Sequence, residues 1–153
     1  METINNTPDL GGNIKLYIIP YHLIHTLSGL VITFTGSDPT CELDCAAESI
    51  KYVFKTSETR AGLLYEHTVT AFVQGRTQEN EDILIRMLPT RHVVILEDAV
   101  GIHWRIGSLT EPIRLEVEFD SAANPSDKNG YTITLTGFTT TPAKLVNFPL
   151  IQG

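Results

Sequence analysis

The chain has 153 residues, of which 42% are hydrophobic and 19% are charged, a composition that suits one globular domain able to bury its own core. The formal net charge is −7, and no two basic residues are adjacent, so the basic stripe that grips nucleic acid through its phosphates is missing from the sequence. No apolar stretch approaches the roughly 18 to 20 residues of a membrane span, and residues 1–13 carry no apolar signal segment. We therefore expect a protein that is made in the cytoplasm, stays soluble and has no membrane partner.

Alternation of apolar and polar side chains, the pattern of half-buried β-strands, runs through most of the chain. In its first half the pattern predicts strands over residues 13–19, 30–35, 49–55 and 63–75. Pro20 ends the first of these strands because it lacks the N–H that a β-ladder requires. We also expect one turn of helix over residues 41–47, in which Cys41 and Cys45 would share a face.

One short helix is predicted over residues 77–88. Thr77 is a candidate N-cap, and acidic side chains in the first turns complement the helix dipole. The segment ends at Pro89, which cannot continue a helix. Its apolar residues recur at helical spacing, at Ile83, Leu84, Met87 and Leu88.

The later strands are predicted over residues 91–97, 102–106, 113–119 and 131–136. Residues 98–101 form a short hairpin turn, and Asn129-Gly130 is a turn signal within a longer hairpin connection. The strand over 113–119 is the clearest, because one face is wholly apolar and the other carries only charged residues. Those charged residues are Arg114, Glu116, Glu118 and Asp120.

Together these elements predict a mainly β fold, a β-sandwich or small barrel of about eight strands with one short helix on its flank. We assign residues 1–12 as an N-terminal arm, 13–138 as the β-sandwich domain and 139–153 as a C-terminal arm. The C-terminal arm is apolar and contains prolines, so we expect it to pack on its own domain or to bind a neighbouring chain. Its candidate interface residues are Leu145, Val146, Phe148, Leu150 and Ile151.

No cofactor or metal is expected. Cys41, Cys45, His22 and His25 could supply four zinc ligands, but their spacing matches no zinc module, and we favour ordinary thiols and loop histidines. No residue pattern places a nucleophile next to a base, so we do not expect an enzyme.

Two further residue groups have alternative interpretations. Glu116 and Glu118 share one strand face at a spacing close to that of glycosidase carboxylates, but we favour a charged outer face or the wall of a lumen. Trp104 or Tyr65 would suit a binding platform for a sugar, although a tryptophan in the core is the commoner arrangement.

Three stretches resemble small tail-associated structural proteins of phages and prophages of the Bacteroides group. They are the opening Leu10–Pro20, with its Gly-Gly pair and closing proline, the segment from Trp104 to Pro112, and the closing Tyr131–Ala143. The resemblance implies a non-enzymatic, β-rich virion protein of the tail or of the neck between head and tail.

The resemblance also implies partners and a location. The protein would assemble with itself into a ring or tube in the host cytoplasm, contact other tail or neck proteins of the virion, and meet DNA only as passing cargo. An acidic wall would let DNA pass without binding because like charges repel. The alternative function is a glycan- or protein-binding β-sandwich module at a tail tip.

Overall fold

The computed structural model describes residues 1–4, 12–28, 31–34, 36–37, 39–120 and 129–146. These residues form a mainly β structure with eleven strands and one α-helix, which confirms the predicted fold class with more strands than expected. The elements are β1 (Asn13–Pro20), β2 (Ile24–Ser28), β3 (Val31–Phe34), β4 (Cys41–Leu43), β5 (Lys51–Thr59), β6 (Gly62–Gln74), α1 (Gln78–Met87), β7 (Arg91–Asp98), β8 (His103–Ile106), β9 (Ile113–Asp120), β10 (Gly130–Thr139) and β11 (Lys144–Leu145).

Nine of these strands form one antiparallel sheet. One edge of β7 pairs with β1 along its whole length. The other edge is shared, because residues 94–97 pair with β8 whereas only Arg91 and His92 pair with β9. The sheet therefore has a first half (β4, β1, β7, β8 and β11) and a second half (β9, β10, β6 and β5).

The main core lies between the two halves of the sheet. Leu16 and Ile18 of β1 and Val94 and Leu96 of β7 point into it from the first half. The second half contributes Val69, Ala71, Val73, Leu115, Ile133 and Leu135. Because these residues alternate along β6, β9 and β10, the opposite face of the second half carries mainly polar side chains, with Phe72 and Phe138 as exceptions.

A second, smaller core lies on the other face of the first half. There the β2–β3 hairpin covers Tyr17 and Ile19 of β1 and Val93 and Ile95 of β7. The strand β7 is thus buried on both faces, and residues 93–96 are an unbroken apolar run with at most 1% exposure. A continuous run of this kind is what two-sided burial requires, in contrast to the alternation of a one-sided strand.

The predicted helix is confirmed as α1. Thr77 is its N-cap, and its side chain accepts a hydrogen bond from the backbone N–H of Asn80 at 3.1 Å. Leu84 and Met87 bury one face of the helix against the main core. No helix among the described residues is long and apolar enough to cross a membrane.

Two local predictions are wrong. Residues 41–43 form strand β4 rather than a helical turn, because β1 offers an edge to which they pair and Leu43 thereby enters the main core. Gly130 does not form a turn but lies in the β10 ladder opposite Asp120 and Gln74. A glycine is needed there because a Cβ atom would lie 2.2 Å from the carbonyl oxygen of Val73.

Because β7 is buried on both faces, we expect the stability of the fold to depend strongly on Ile95. Ile95→Ala removes a side chain with no exposed surface, and we expect the free energy of unfolding to fall by about 2 to 5 kcal/mol. Ile85→Ala is the matched control, since Ile85 is 62% exposed on α1, and it should change stability by no more than about 0.5 kcal/mol. Urea denaturation measures both, and similar losses for the two variants would contradict the assignment.

Candidate functional site

The two described residues of the predicted C-terminal interface have different environments. Leu145 lies in β11 opposite Trp104 and is 46% exposed. Val146 is buried in the second core, and its backbone N–H donates to the carbonyl of His103 at 3.1 Å. Residues 139–146 therefore pack on the domain instead of extending from it as an arm, and Val146 is not available as a contact surface. Phe148, Leu150 and Ile151 lie outside the described residues.

Glu116 and Glu118 lie on the outer face of the second half, as predicted. Both are exposed, and Glu116 forms an ion pair with Arg114 two residues earlier on the same strand. On β10 the neighbour opposite Glu116 is Thr134, and the neighbour opposite Glu118 is Thr132. The pair therefore belongs to a solvated face rather than to a glycosidase-like cleft.

This outer face is polar at its centre, but Val53, Phe72 and Phe138 also lie on it, and Phe138 is 59% exposed. One row of neighbours runs from Glu116 through Thr134 and Thr70 to Lys51. Its centre is lined by hydroxyl groups, and its charged groups are concentrated on the two outermost strands. Five threonines occupy the central strands, at Thr68, Thr70, Thr132, Thr134 and Thr136.

Both outermost strands of the second half have an unpaired edge among the described residues. The strand β5 pairs with β6 over all nine of its residues and has no strand on its other side. The strand β9 pairs with β7 only at Ile113 and Arg114, so its edge from Leu115 to Asp120 has no strand partner. Unpaired edges present free N–H and C=O groups that template the addition of another strand.

A buried chain of hydrogen bonds joins β5, β6 and the end of β10. The Thr139 hydroxyl donates to the carbonyl of Thr141, so its oxygen accepts from Nε2–H of His67 at 2.7 Å. Nδ1 of His67 then accepts from the hydroxyl of Tyr52, also at 2.7 Å. These hydrogen bonds assign to His67 the neutral ring with its proton on Nε2.

The pKa values agree with this assignment. Burial lowers the pKa of His67, against opposing contributions from the Thr141 carbonyl and the Glu111 carboxylate, and so favours the neutral ring. Burial also raises the pKa of Tyr52 to about 12, which keeps its hydroxyl a donor. Each donor among Tyr52, His67 and Thr139 in these hydrogen bonds has an acceptor.

Thr139, His67 and Tyr52 have the residue types of a nucleophile, a base and an orienting group. Their burial argues against that role, because Thr139 is 1% exposed and His67 is fully buried, so a substrate cannot reach either group. The hydroxyl proton of Thr139 is also directed at a carbonyl rather than at His67. We interpret the chain as a structural tie between β5 and the rest of the second half.

An aromatic groove of about 470 Å³ opens between β5 and the first half of the sheet. Tyr52, Phe54 and Trp104 line it, and Phe54 is 48% exposed. Trp104 is half-buried at the wall of this groove rather than in the core, which differs from the favoured prediction. Tyr65 lies outside this lining, where it stacks on His67 with ring centroids 6.5 Å apart.

The indole N–H of Trp104 already has a hydrogen-bond partner within the protein. Its Nε1–H donates to the Asp98 carboxylate at 3.1 Å, and the same carboxylate accepts from the backbone N–H groups of Val100 and Ile102. Burial acts to raise the pKa of Asp98, but these hydrogen bonds outweigh it and hold the pKa below its ordinary value. Asp98 and Trp104 thus close the β7–β8 hairpin, whose turn uses Gly101 at φ 88°.

The cysteines lie at the edge of the main core as free thiols. Burial raises the pKa of both, to about 11 for Cys45, where Asp44 and Glu42 add to the effect. Such thiols are poor nucleophiles because the reactive species is the thiolate. Among the described residues, no group of three or more His, Cys, Asp or Glu side chains converges on a common metal position.

Comparison with protein-family models, with curated proteins and with solved structures gave no match. The resemblance to phage tail-associated proteins therefore rests on the three sequence stretches alone.

Two buried histidines predict how stability depends on pH. Burial lowers the pKa of His67 and of His92, whose Nε2–H donates to the carbonyl of Met87 at 3.0 Å. The unfolded chain, with an ordinary histidine pKa of about 6.5, therefore takes up protons first as the pH falls. We expect the free energy of unfolding to decrease between about pH 7 and pH 5.

His67→Gln removes one of these two groups, so its stability should fall less steeply with pH than that of the wild type. His25→Gln is the control, because it removes a histidine that is exposed in the folded chain. Urea denaturation at a series of pH values measures the slopes. Equal slopes for His67→Gln and the wild type would show that His67 titrates alike in the folded and unfolded chains.

Proposed function

We propose that this chain is a non-enzymatic structural subunit of a phage or prophage virion, in the tail or in the neck between head and tail, that assembles with copies of itself into a ring or tube. The observation that supports the assembly is the second half of the sheet, whose outermost strands β5 and β9 each have an edge with no strand partner in the part of the chain that the structure describes. The virion context comes from the sequence resemblance. Copies that add strand to strand would satisfy the backbone groups of these edges.

The outer face of the second half supports a role as the wall of a passage. It presents threonine hydroxyls at its centre, with Glu116 and Glu118 at one side. Glu116 and Glu118 repel the phosphates of DNA at one side of this face, whereas Lys51 and Lys55 attract them at the other side. DNA would therefore move along the wall as cargo only where assembly pairs these opposite charges. Other tail or neck proteins of the virion would then contact the ends of the ring.

A second candidate function is favoured by the aromatic groove. Tyr52, Phe54 and Trp104 offer ring surfaces to a glycan or a protein segment, as a binding module at a tail tip would. This function needs no self-assembly, so the two candidates predict different states of the purified protein.

Size-exclusion chromatography with light scattering, followed by electron microscopy, tests the assembly. We expect a closed oligomer or a polymer that appears as rings or tubes. A strict monomer at all concentrations would contradict the proposal, and a monomer that binds glycans would favour the tail-tip module.

The C-terminal residues give a second test. A deletion that begins at Thr139 would remove buried groups, Thr139 and Val146 among them, and would unfold the domain. Truncation after Val146 instead removes only residues 147–153, which carry Phe148, Leu150 and Ile151. Because these apolar side chains are suited to contact a neighbouring chain, we expect weaker assembly with an unchanged unfolding midpoint.

Ile85→Ser provides the matched control, since Ile85 is an exposed apolar residue of α1 that belongs to none of the proposed contacts. Sedimentation velocity measures assembly, and thermal unfolding measures the fold. Full assembly of the truncated chain would show that residues 147–153 make no contact between copies.

A further inference from the structure

We infer that strand β5 of one copy pairs antiparallel with strand β9 of the next copy, so that the second halves of successive copies form one continuous sheet. The partner at each edge is thus a second copy of this chain, joined head to tail. The inference rests on the proposed assembly and specifies the surfaces through which it occurs.

The directions of the four strands in the second half allow β5 and β9 of neighbouring copies to pair. All three pairings in the second half are antiparallel, so β5 and β10 run in one direction and β6 and β9 in the other. The two outermost strands, β5 and β9, therefore run in opposite directions. Copies arranged side by side in the same orientation bring β5 against β9 as an antiparallel pair, which continues the alternation without a break.

Opposite charges on the outer face also favour the pairing of β5 with β9. Lys51 and Lys55 are exposed on β5 and share the outer face with Glu116 and Glu118, which are exposed on β9. Within one copy the two pairs are separated by β10 and β6. Between copies, an antiparallel register that sets Lys55 opposite Glu116 also sets Val53 opposite Glu118. Glu118 then lies diagonal to both Lys51 and Lys55 on the same face, where opposite charges stabilise a strand pair and like charges destabilise it.

On the inner face, the same pairing would bring apolar side chains of β5 and β9 into contact. Tyr52 and Phe54 alternate with the lysines on β5, and Phe54 is 48% exposed. Val117 and Phe119 alternate with the glutamates on β9, and both are only partly buried against the main core. Juxtaposition of the two edges would bury these side chains against one another, extending the core from copy to copy.

A head-to-tail contact between two different edges has a geometric consequence. Identical edges would close into a pair, whereas β5 and β9 leave one free edge of each kind on every intermediate until the ring closes. The structure thus assigns cyclic or helical assembly rather than a two-fold dimer. The number of copies depends on the angle between successive sheets.

Charge reversal with rescue tests this contact on the full-length chain. Lys51→Glu/Lys55→Glu gives two acidic edges, and Glu116→Lys/Glu118→Lys gives two basic edges. We expect each double variant alone to lose at least tenfold in apparent affinity between copies, measured by sedimentation velocity. A mixture of the two double variants, and the chain that carries all four substitutions, should both assemble again because each restores opposite charges.

Lys15→Glu/Lys144→Glu is the matched control. It changes the net charge by the same amount as the β5 variant, through two exposed lysines of the first half, and should assemble like the wild type. Circular dichroism and thermal unfolding verify that every variant folds.

Each outcome decides the inference. Loss in both double variants with recovery in the mixture supports the β5–β9 contact. Wild-type assembly that persists in either double variant, or loss without recovery in the mixture, overturns the contact while leaving the proposed assembly intact. A wild-type chain that stays monomeric overturns the contact and the proposed assembly together.

Discussion

Burial of β7 on both faces is the constraint on which the rest of the structure depends. Residues 93–96 send side chains alternately into the main core and the second core, so the chain has to supply a layer on each side. The second half of the sheet and α1 form one layer, and the β2–β3 hairpin forms the other. The strand β1 takes one edge of β7, whereas β8 and β9 divide the other, so within the described residues β9 pairs with β7 only at Ile113 and Arg114.

The elements that could be predicted from the sequence are those whose pattern is complete within one segment. The strand over 113–119 and the helix after Thr77 carry their own periodicity and capping, and both lie where they were expected. The strands β4 and β11 have three and two residues, too few to show any period. They exist because β1 and β8 offer edges to which they pair, which is information held by distant parts of the chain.

The candidate site also combines features that a local sequence pattern predicts with features that depend on distant parts of the chain. Alternation alone placed Glu116 and Glu118 on an outer face. No local pattern reveals that His67 is the centre of a buried chain, because its partners Tyr52 and Thr139 are 15 and 72 residues away along the sequence. Burial of Val146 was missed for a related reason, since an apolar residue near prolines looks alike whether it contacts its own domain or another chain. The open edges of β5 and β9 likewise follow from topology and have no signature of their own.

Lysines on an edge strand have a well-known alternative explanation, which is protection against aggregation. Lys51 and Lys55 would serve that purpose if they covered an edge with nothing to gain from pairing. The inner face of β5 argues against this explanation, because protection favours polar or twisted edges and Phe54 instead exposes an aromatic ring beside the lysines. The strand β9 repeats the arrangement with opposite charge, with Phe119 behind its glutamates and Arg76 lying 4.6 Å from the centre of that ring. In the proposed contact, two edges that combine apolar inner side chains with opposite outer charges would repel their own kind and attract each other, which would direct assembly rather than prevent it.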